Sequence, residues 1–85
     1  EAPAPYYLRT ALEDKPGALA KVAAVLGEAG VSINRMRQYG HDGAAAPVLI
    51  VTHPCSRAAI DAALLALPET GVVAADPVAL RIEEV

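Results

Sequence analysis

The sequence predicts an α+β domain whose elements follow one another as strand, helix, strand, strand, helix, strand. Three observations support this fold class. Two segments repeat their apolar residues at helical spacing, four segments have the alternating or continuous apolar pattern of strands, and glycine or proline marks the turns. With 85 residues, 54% of them hydrophobic, the chain has the size of one small domain and the composition of a globular one.

The first strand and the first helix meet at a proline-glycine turn. Residues 6–12 alternate between two faces, which predicts a half-buried strand. From Pro16 to Ala29 the apolar residues follow a helical period, and Gly30 stands where a left-handed C-cap is expected. Pro16 suits the first helical turn, because its φ is fixed and its missing N–H would have no partner there.

This turn is a candidate binding site. Gly17 has no side chain, so the N–H groups at the helix start are predicted to face outward, with the positive end of the helix dipole behind them. That arrangement suits a small ligand that carries a carboxylate. The run Asp14-Lys15-Pro16-Gly17 is also typical of an ordinary turn without a ligand, and both interpretations remain open on this evidence.

The second and third strands are predicted to form a hairpin. Residues 31–39 are extended, but their apolar face changes parity near Asn34 and Arg35, which predicts a β-bulge. Residues 40–43 supply the turn. The nearly continuous apolar run 46–52 then predicts a central, well-buried strand.

A second helix and a last strand complete the chain. Ser56 is placed to cap a helix whose apolar stripe runs from Ala59 to Leu67, and Pro68 is expected to end it. Residues 78–82 alternate as the last strand does, and Pro77 before them suits an edge position.

The order of elements is that of a ferredoxin-like βαββαβ fold, a four-stranded antiparallel sheet with two helices on one face. Right-handed crossovers would place the first and third strands in the middle and the second and fourth at the edges. The uncovered sheet face and the edge of the second strand then need protection from water or from other chains. We therefore expect a homodimer or a higher homo-oligomer.

Composition and charge exclude several classes of function. A net charge of −3, with the seven Lys and Arg spread along the chain, gives no basic stripe for nucleic acid. No apolar run approaches the roughly 18 residues that cross a membrane, so we expect a cytoplasmic protein without a membrane partner. Cys55 is the single cysteine and cannot form an internal disulfide. Residues 1–5 are interpreted as a linker remnant and residues 6–85 as the domain.

No pattern of residues indicates catalysis. The sequence lacks a nucleotide-binding glycine motif after a strand, a nucleophile with its base, and a metal-ligand spacing, so we expect no catalytic residue and no metal. Met36 is expected in the core, and Cys55 as a partly exposed thiol. Arg35 and Arg37 would form ion pairs across a dimer, contact a catalytic body, or remain solvated edge charges. Lys15 would contact an anion or remain an exposed lysine of the turn, and His41 and His53 are interpreted as structural or solvated.

Four segments and one glutamine carry a resemblance to a known family. They are residues 6–9 (YYLR), 14–20 (DKPGALA), 31–33 (VSI) and 47–53 (PVLIVTH), with Gln38. Together they resemble an ACT domain, a small regulatory module of amino-acid metabolism, and are most similar to the C-terminal regulatory ACT domain of bacterial homoserine dehydrogenase. The Pro-Gly turn is shared by many ACT domains, whereas the Tyr-Tyr-Leu-Arg opening and the Thr-His strand end favour homoserine dehydrogenase.

The resemblance implies that an amino-acid effector binds at a dimer interface, between the first βα turn of one subunit and the second strand of the other. The N–H groups of Gly17, Ala18 and Leu19 would receive the effector carboxylate, and Asp14 would pair with its ammonium. Threonine is the effector that the resemblance implies, and Ser32 or Asn34 would bind its hydroxyl. Many ACT domains have Asn at the position of Ser32, so the donor here is shorter. The implied effector-binding residues are Asp14, Lys15, Pro16, Gly17, Ala18, Leu19, Ser32, Ile33 and Asn34.

The same resemblance implies that the enzyme activity lies outside this chain. An NAD(P)-dependent dehydrogenase would reside in N-terminal catalytic domains, and this fragment would need no cofactor and would not itself be an enzyme. Its role would be feedback control of the aspartate-derived pathway to threonine and methionine. Two alternatives stay open: an oligomerisation module with a vestigial pocket, and an ACT domain of another amino-acid metabolic enzyme.

Overall fold

Four strands and two helices follow one another in the order that the sequence predicts. The computed structural model describes residues 2–13, 15–39 and 45–83, so Asp14, His41 and the predicted turn 40–43 lie outside the described residues. The elements are β1 Tyr6–Glu13, α1 Ala18–Glu28, β2 Ile33–Gln38, β3 Ala45–Thr52, α2 Arg57–Ala66 with a 3₁₀ turn at Leu67–Thr70, and β4 Val73–Arg81.

The sheet has the strand order β2-β3-β1-β4, and all neighbouring strands are antiparallel. This confirms the prediction that the first and third strands are central. Leu8 pairs with Ile50 and Leu12 pairs with Ala46, and all four side chains are buried in the core beneath the helices. The other side of the sheet therefore carries the odd-numbered residues 7–11 of β1 and 47–51 of β3, because side chains alternate along a strand.

The predicted bulge in β2 is confirmed, but it does not bring Met36 into the core. Ile33 pairs with Thr52 and Arg35 pairs with Val51, which leaves Asn34 as an extra residue. Met36 then lies opposite the buried Ile50 on the helix side of the sheet, yet it is 39% exposed. The prediction that Met36 is core is wrong, because β2 is the outermost strand and the helices leave it partly uncovered.

Helix α1 begins at Ala18, two residues later than Pro16. Gly17 is the N-cap residue and has a φ of 81°, a left-handed conformation that no helix can include. The prediction that Pro16 lies in the first helical turn is therefore wrong. At the other end Gly30 has a φ of 89°, and the N–H of Val31 donates to the Leu26 carbonyl at 2.8 Å. The predicted glycine C-cap is confirmed as a Schellman motif.

The start of α2 and the residues before β1 close one end of the sheet. The Ser56 hydroxyl accepts a hydrogen bond from the Ala59 N–H at 3.1 Å, which confirms the predicted cap. Ala4 and Cys55 exchange two backbone hydrogen bonds of 3.1 and 3.0 Å. Cys55 is only 7% exposed, so the prediction of a partly exposed thiol is wrong. The bridge to Ala4 is a long-range contact that buries it.

Candidate functional site

A pocket of about 240 Å³ opens where β1 leads into α1. Residues from three elements line it: Leu12 and Glu13 of β1, Lys15, Gly17, Ala18, Leu19 and Ala20 of the turn and helix start, and Gln38 of β2. Four of the predicted effector-binding residues, Lys15, Gly17, Ala18 and Leu19, are therefore brought together. The sheet fixes the position of these residues, because β1 leads directly into the turn at the edge of the core.

The N-terminus of α1 lines the pocket. The first N–H groups of a helix have no intrahelical acceptor and carry the positive end of its dipole. A Cβ atom built on Gly17 would meet no atom within 4 Å, so the approach to this helix start is open. The Ala18 N–H already donates to the Lys15 carbonyl at 3.2 Å, and the Lys21 N–H donates to the Gly17 carbonyl at 3.0 Å. Between these two donors, the N–H groups of Leu19 and Ala20 precede the first i−4 hydrogen bond of the helix.

The residues that line the pocket include one positive and one negative side chain. The Lys15 ammonium lies 3.0 Å from a Glu13 carboxylate oxygen, and these side chains are 57% and 39% exposed. Such an exposed ion pair contributes only about 0–1 kcal/mol, so either partner can turn to a ligand at little cost. A zwitterionic ligand can therefore contact an ammonium and a carboxylate of the protein in addition to the helix start. Asp14, the predicted partner for the effector ammonium, lies outside the described residues.

The predicted strand positions lie at the far end of β2 within the same chain. Ile33 and Gln38 are the first and last residues of β2. Five extended residues span about 17 Å, so Ser32, Ile33 and Asn34 do not reach the pocket that Gln38 lines. Pro16 is exposed and is not among the lining residues.

Four lining residues were not among the predicted effector-binding residues: Leu12, Glu13, Ala20 and Gln38. The predicted topology contains a signal for two of them. Because β1 and β2 both run antiparallel to β3, they are parallel to each other, and their final residues Glu13 and Gln38 lie at the same end of the sheet. The presence of Ala20 in the pocket follows from helix geometry once the start of α1 is known.

A second pocket, of about 250 Å³, is lined by residues 3–5 and by Arg81, Ile82 and Glu83; it contains the Arg81–Glu83 ion pair, but no helix starts there. The pKa of Arg57 is raised, first by a hydrogen bond with Tyr6 and then by the nearby Asp61 carboxylate. Arg57 and Asp61 belong to α2 and Tyr6 begins β1, and none of the three lines the pocket at Gly17. Across residues 2–13, 15–39 and 45–83, no three His, Cys, Asp or Glu side chains are grouped to hold a metal ion. No helix in those ranges is long enough and apolar enough to cross a membrane.

Comparisons with known proteins agree on one family. The ACT domain model matches residues 6–69. A homoserine dehydrogenase of Pseudomonas aeruginosa is 37% identical over 82 residues, which cover 93% of this chain and 19% of that protein. The homoserine dehydrogenase of Methylobacillus glycogenes is 36% identical over 83 residues, which cover 93% of this chain and 20% of that protein. The chain thus spans about a fifth of the length of the curated relatives it matches.

Solved structures give the same result. The crystal structure of a homoserine dehydrogenase from Thiobacillus denitrificans superposes with a TM-score of 0.83 and 26% identity, over 95% of this chain and 18% of that chain. The regulatory subunit of aspartate kinase from Thermus thermophilus shares the fold, with a TM-score of 0.70 and 18% identity over 91% of this chain and 50% of that one. The chain belongs to the ACT domain family, and among the proteins of that family it is related to homoserine dehydrogenases.

Proposed function

We propose that this chain is the regulatory domain of a cytoplasmic homoserine dehydrogenase and that it binds threonine in the pocket between β1 and α1. One observation carries the proposal: the open helix start at Gly17 shares a pocket with Glu13 and Lys15. The helix start suits the carboxylate of an amino acid, and Glu13 suits its ammonium. At about 240 Å³ the pocket is below the range of about 300–1,000 Å³ typical of drug-sized ligands, so a small metabolite fits it better.

A second copy of the chain would complete the pocket through the edge of β2. The Tyr39 N–H donates to the Pro47 carbonyl, so Arg35, Arg37 and Tyr39 turn their backbone groups toward β3. By alternation, Met36 and Gln38 turn theirs outward. This edge can therefore pair with another strand. The edge of β4 is a poorer partner, because it contains a proline and two register shifts.

Pairing of β2 with β2 about a two-fold axis is antiparallel. The start of one strand then lies beside the end of the other, so Ser32 and Asn34 of the second copy would approach Gln38 and the pocket. Their hydroxyl and amide groups are suited to the hydroxyl of threonine. In this arrangement the residues at the far end of β2 and the residues of the turn form one composite site, as the family resemblance implies.

Regulation requires that the rest of the enzyme has two states with different affinity for the effector. The dehydrogenase chemistry and its NAD(P) cofactor would reside in the part of the longer chain that precedes this domain. Threonine, as the end product, would favour the less active state. The open edge of β2 also favours a second role, in which the domain holds subunits together whether or not an effector is bound.

The test is calorimetry of threonine with the full-length enzyme and two matched variants, Gly17→Asp and Gly71→Asp. Gly17 and Gly71 have φ values of 81° and 78°, and a Cβ atom on either would meet nothing within 4 Å. The two variants therefore share the same backbone strain and the same added charge, and they differ in location.

Gly17→Asp is expected to weaken threonine binding about tenfold or more, because a second carboxylate roughly 5 Å from that of the effector costs about 1–3 kcal/mol. Gly71→Asp is expected to bind threonine as the wild type does. Equal affinities for all three proteins would contradict the proposed site. Absence of threonine binding in the wild type, with the oligomer intact, would favour the association role.

A further inference from the structure

The sheet face opposite the helices, called here the open face, combines apolar side chains with arginines. The strand register arranges its residues in rows that cross all four strands. One row contains Leu80, Tyr7, Val51 and Arg35, and the next contains Val78, Arg9, Leu49 and Arg37. Neither row contains a carboxylate.

The apolar part of the open face is accessible in the single chain. Leu80 is 59% exposed and Val78 is 44% exposed, and both belong to the edge strand β4. Tyr7, Leu49 and Val51 beside them are only half-buried. These apolar residues surround Arg9 on the central strand β1, and Arg35 and Arg37 border them on β2. An exposed apolar patch beside charged groups is typical of a surface that binds another protein.

The charged part of the open face is strongly cationic. Three of the seven Lys and Arg of a chain with net charge −3 lie on it: Arg9, Arg35 and Arg37. All three are exposed, and among the described residues none of them forms an ion pair. Arg37 lies over the Tyr39 ring, with its guanidinium carbon 5.2 Å from the ring centre. Arg9 and Arg37 are separated by one strand, so their backbones are about 10 Å apart.

This charge distribution argues against two copies that stack through the open face. Such a dimer would bring six arginines together around a desolvated apolar centre, and like charges at an interface are repelled. Pairing through β2 has a related consequence, because it would place Arg35 and Arg37 of both copies side by side on one continuous open face. In either case the arginines need a counter-charge from another source.

We propose that the open face docks onto an apolar surface flanked by carboxylates, in the larger part of the enzyme that carries this domain. Guanidinium groups pair with carboxylates through two parallel hydrogen bonds, and the apolar residues between them would exclude water. The relatives contain such additional polypeptide, since this chain covers 19–20% of their length. The proposal rests on the proposed function in one respect: the partner surface is part of the same enzyme.

The first test uses the full-length enzyme with Arg37→Lys and a water-soluble carbodiimide. The carboxylate adds to the reagent and becomes an activated ester. A neighbouring amine then attacks this ester, forms an amide and releases the reagent as a urea. Arginine does not react, so the wild type is the control for position 37. Within the variant, Lys21 on the exposed side of α1 is the control for an amine elsewhere on the domain. The proposal expects a cross-link from position 37 to an Asp or Glu outside these 85 residues.

The second test is hydroxyl-radical labelling of the same enzyme, read by mass spectrometry. Docking should make Leu80 react several-fold less than Leu65, although the chain alone exposes them by 59% and 78%. Charge reversal by Arg9→Glu with Arg37→Glu should restore the labelling of Leu80 several-fold, whereas Lys21→Glu should not change it.

Three results would overturn the proposal. One is a cross-link from position 37 to a second copy of this domain, which would indicate self-association. Another is strong labelling of Leu80 in the wild type without a cross-link, which would indicate a free face. The third is protection of Leu80 that survives charge reversal, which would indicate docking without carboxylates. None of these results depends on threonine, so this proposal and the effector site fail separately.

Discussion

The hydroxyl of Thr52 satisfies a backbone group that has no access to water. Thr52 is fully buried at the end of β3, and its Oγ1 accepts a hydrogen bond of 2.9 Å from the Tyr6 N–H. Tyr6 is only 3% exposed, so this N–H cannot turn to solvent. The same hydroxyl oxygen lies 3.7 Å from the Cys55 sulfur. One side chain therefore connects the start of β1, the end of β3 and the segment that precedes α2.

The substitution Thr52→Val tests this role, because it removes the hydroxyl and keeps the shape of the side chain. It leaves a buried N–H without an acceptor, which costs about 1–3 kcal/mol. Thr52→Ser is the matched control: it keeps the hydroxyl and loses one methyl group, at a cost of about 1 kcal/mol. The valine variant is therefore expected to be the less stable of the two, although it is the more hydrophobic.

The effect is large for a domain of this size. A chain of 85 residues has a free energy of unfolding of roughly 4–13 kcal/mol. A loss of about 2 kcal/mol lowers the Tm by roughly 8–16 °C. Urea denaturation followed by circular dichroism gives the difference, and equal m values would show that the denatured states are comparable. A valine variant as stable as the wild type, or more stable than the serine variant, would refute this account of Thr52.

Two further substitutions test an edge and a cap. Met36→Pro removes an N–H that faces outward from β2, so sedimentation should show loss of the proposed dimer. Met36→Ala keeps this N–H and should remain dimeric. Identical sedimentation of both variants would exclude pairing through this edge. Ser56→Ala removes the cap of α2 and is expected to cost about 1 kcal/mol, whereas Ser56→Asp should retain most of the stability. Thermal denaturation measures that difference, and an unchanged Tm for Ser56→Ala would mean that the cap bond adds nothing.

Local patterns were sufficient for most of the fold. Alternation predicted that β1 is a strand buried on one face, because side chains of a strand point to opposite sides. The parity change in residues 31–36 predicted the bulge at Asn34, and Ser56 and Gly30 predicted their helix ends. Each of these features depends on residues within a few positions of one another, so the sequence contains the information directly.

The features that were predicted wrongly depend on distant parts of the chain. Alternation assigns Met36 to a face, but whether a helix covers that face is decided by tertiary packing. Cys55 follows a proline and therefore suggested an exposed segment, whereas its pairing with Ala4 buries it. The start of α1 is a local exception: Pro16 was predicted in the first helical turn, and the left-handed φ of Gly17 places both residues before the helix.

The position of the pocket gives β2 a role in any regulation. The two ends of this strand serve different sites: Gln38 lines the pocket of its own chain, and the proposed two-fold pairing would bring Ser32 and Asn34 to the pocket of the other. An effector that touches both chains binds the dimer more tightly than the monomer. By linkage, it must then strengthen the dimer by the same free energy. The effector role and the association role are thus two consequences of one equilibrium, and threonine concentration would set how firmly the two copies of β2 are held together.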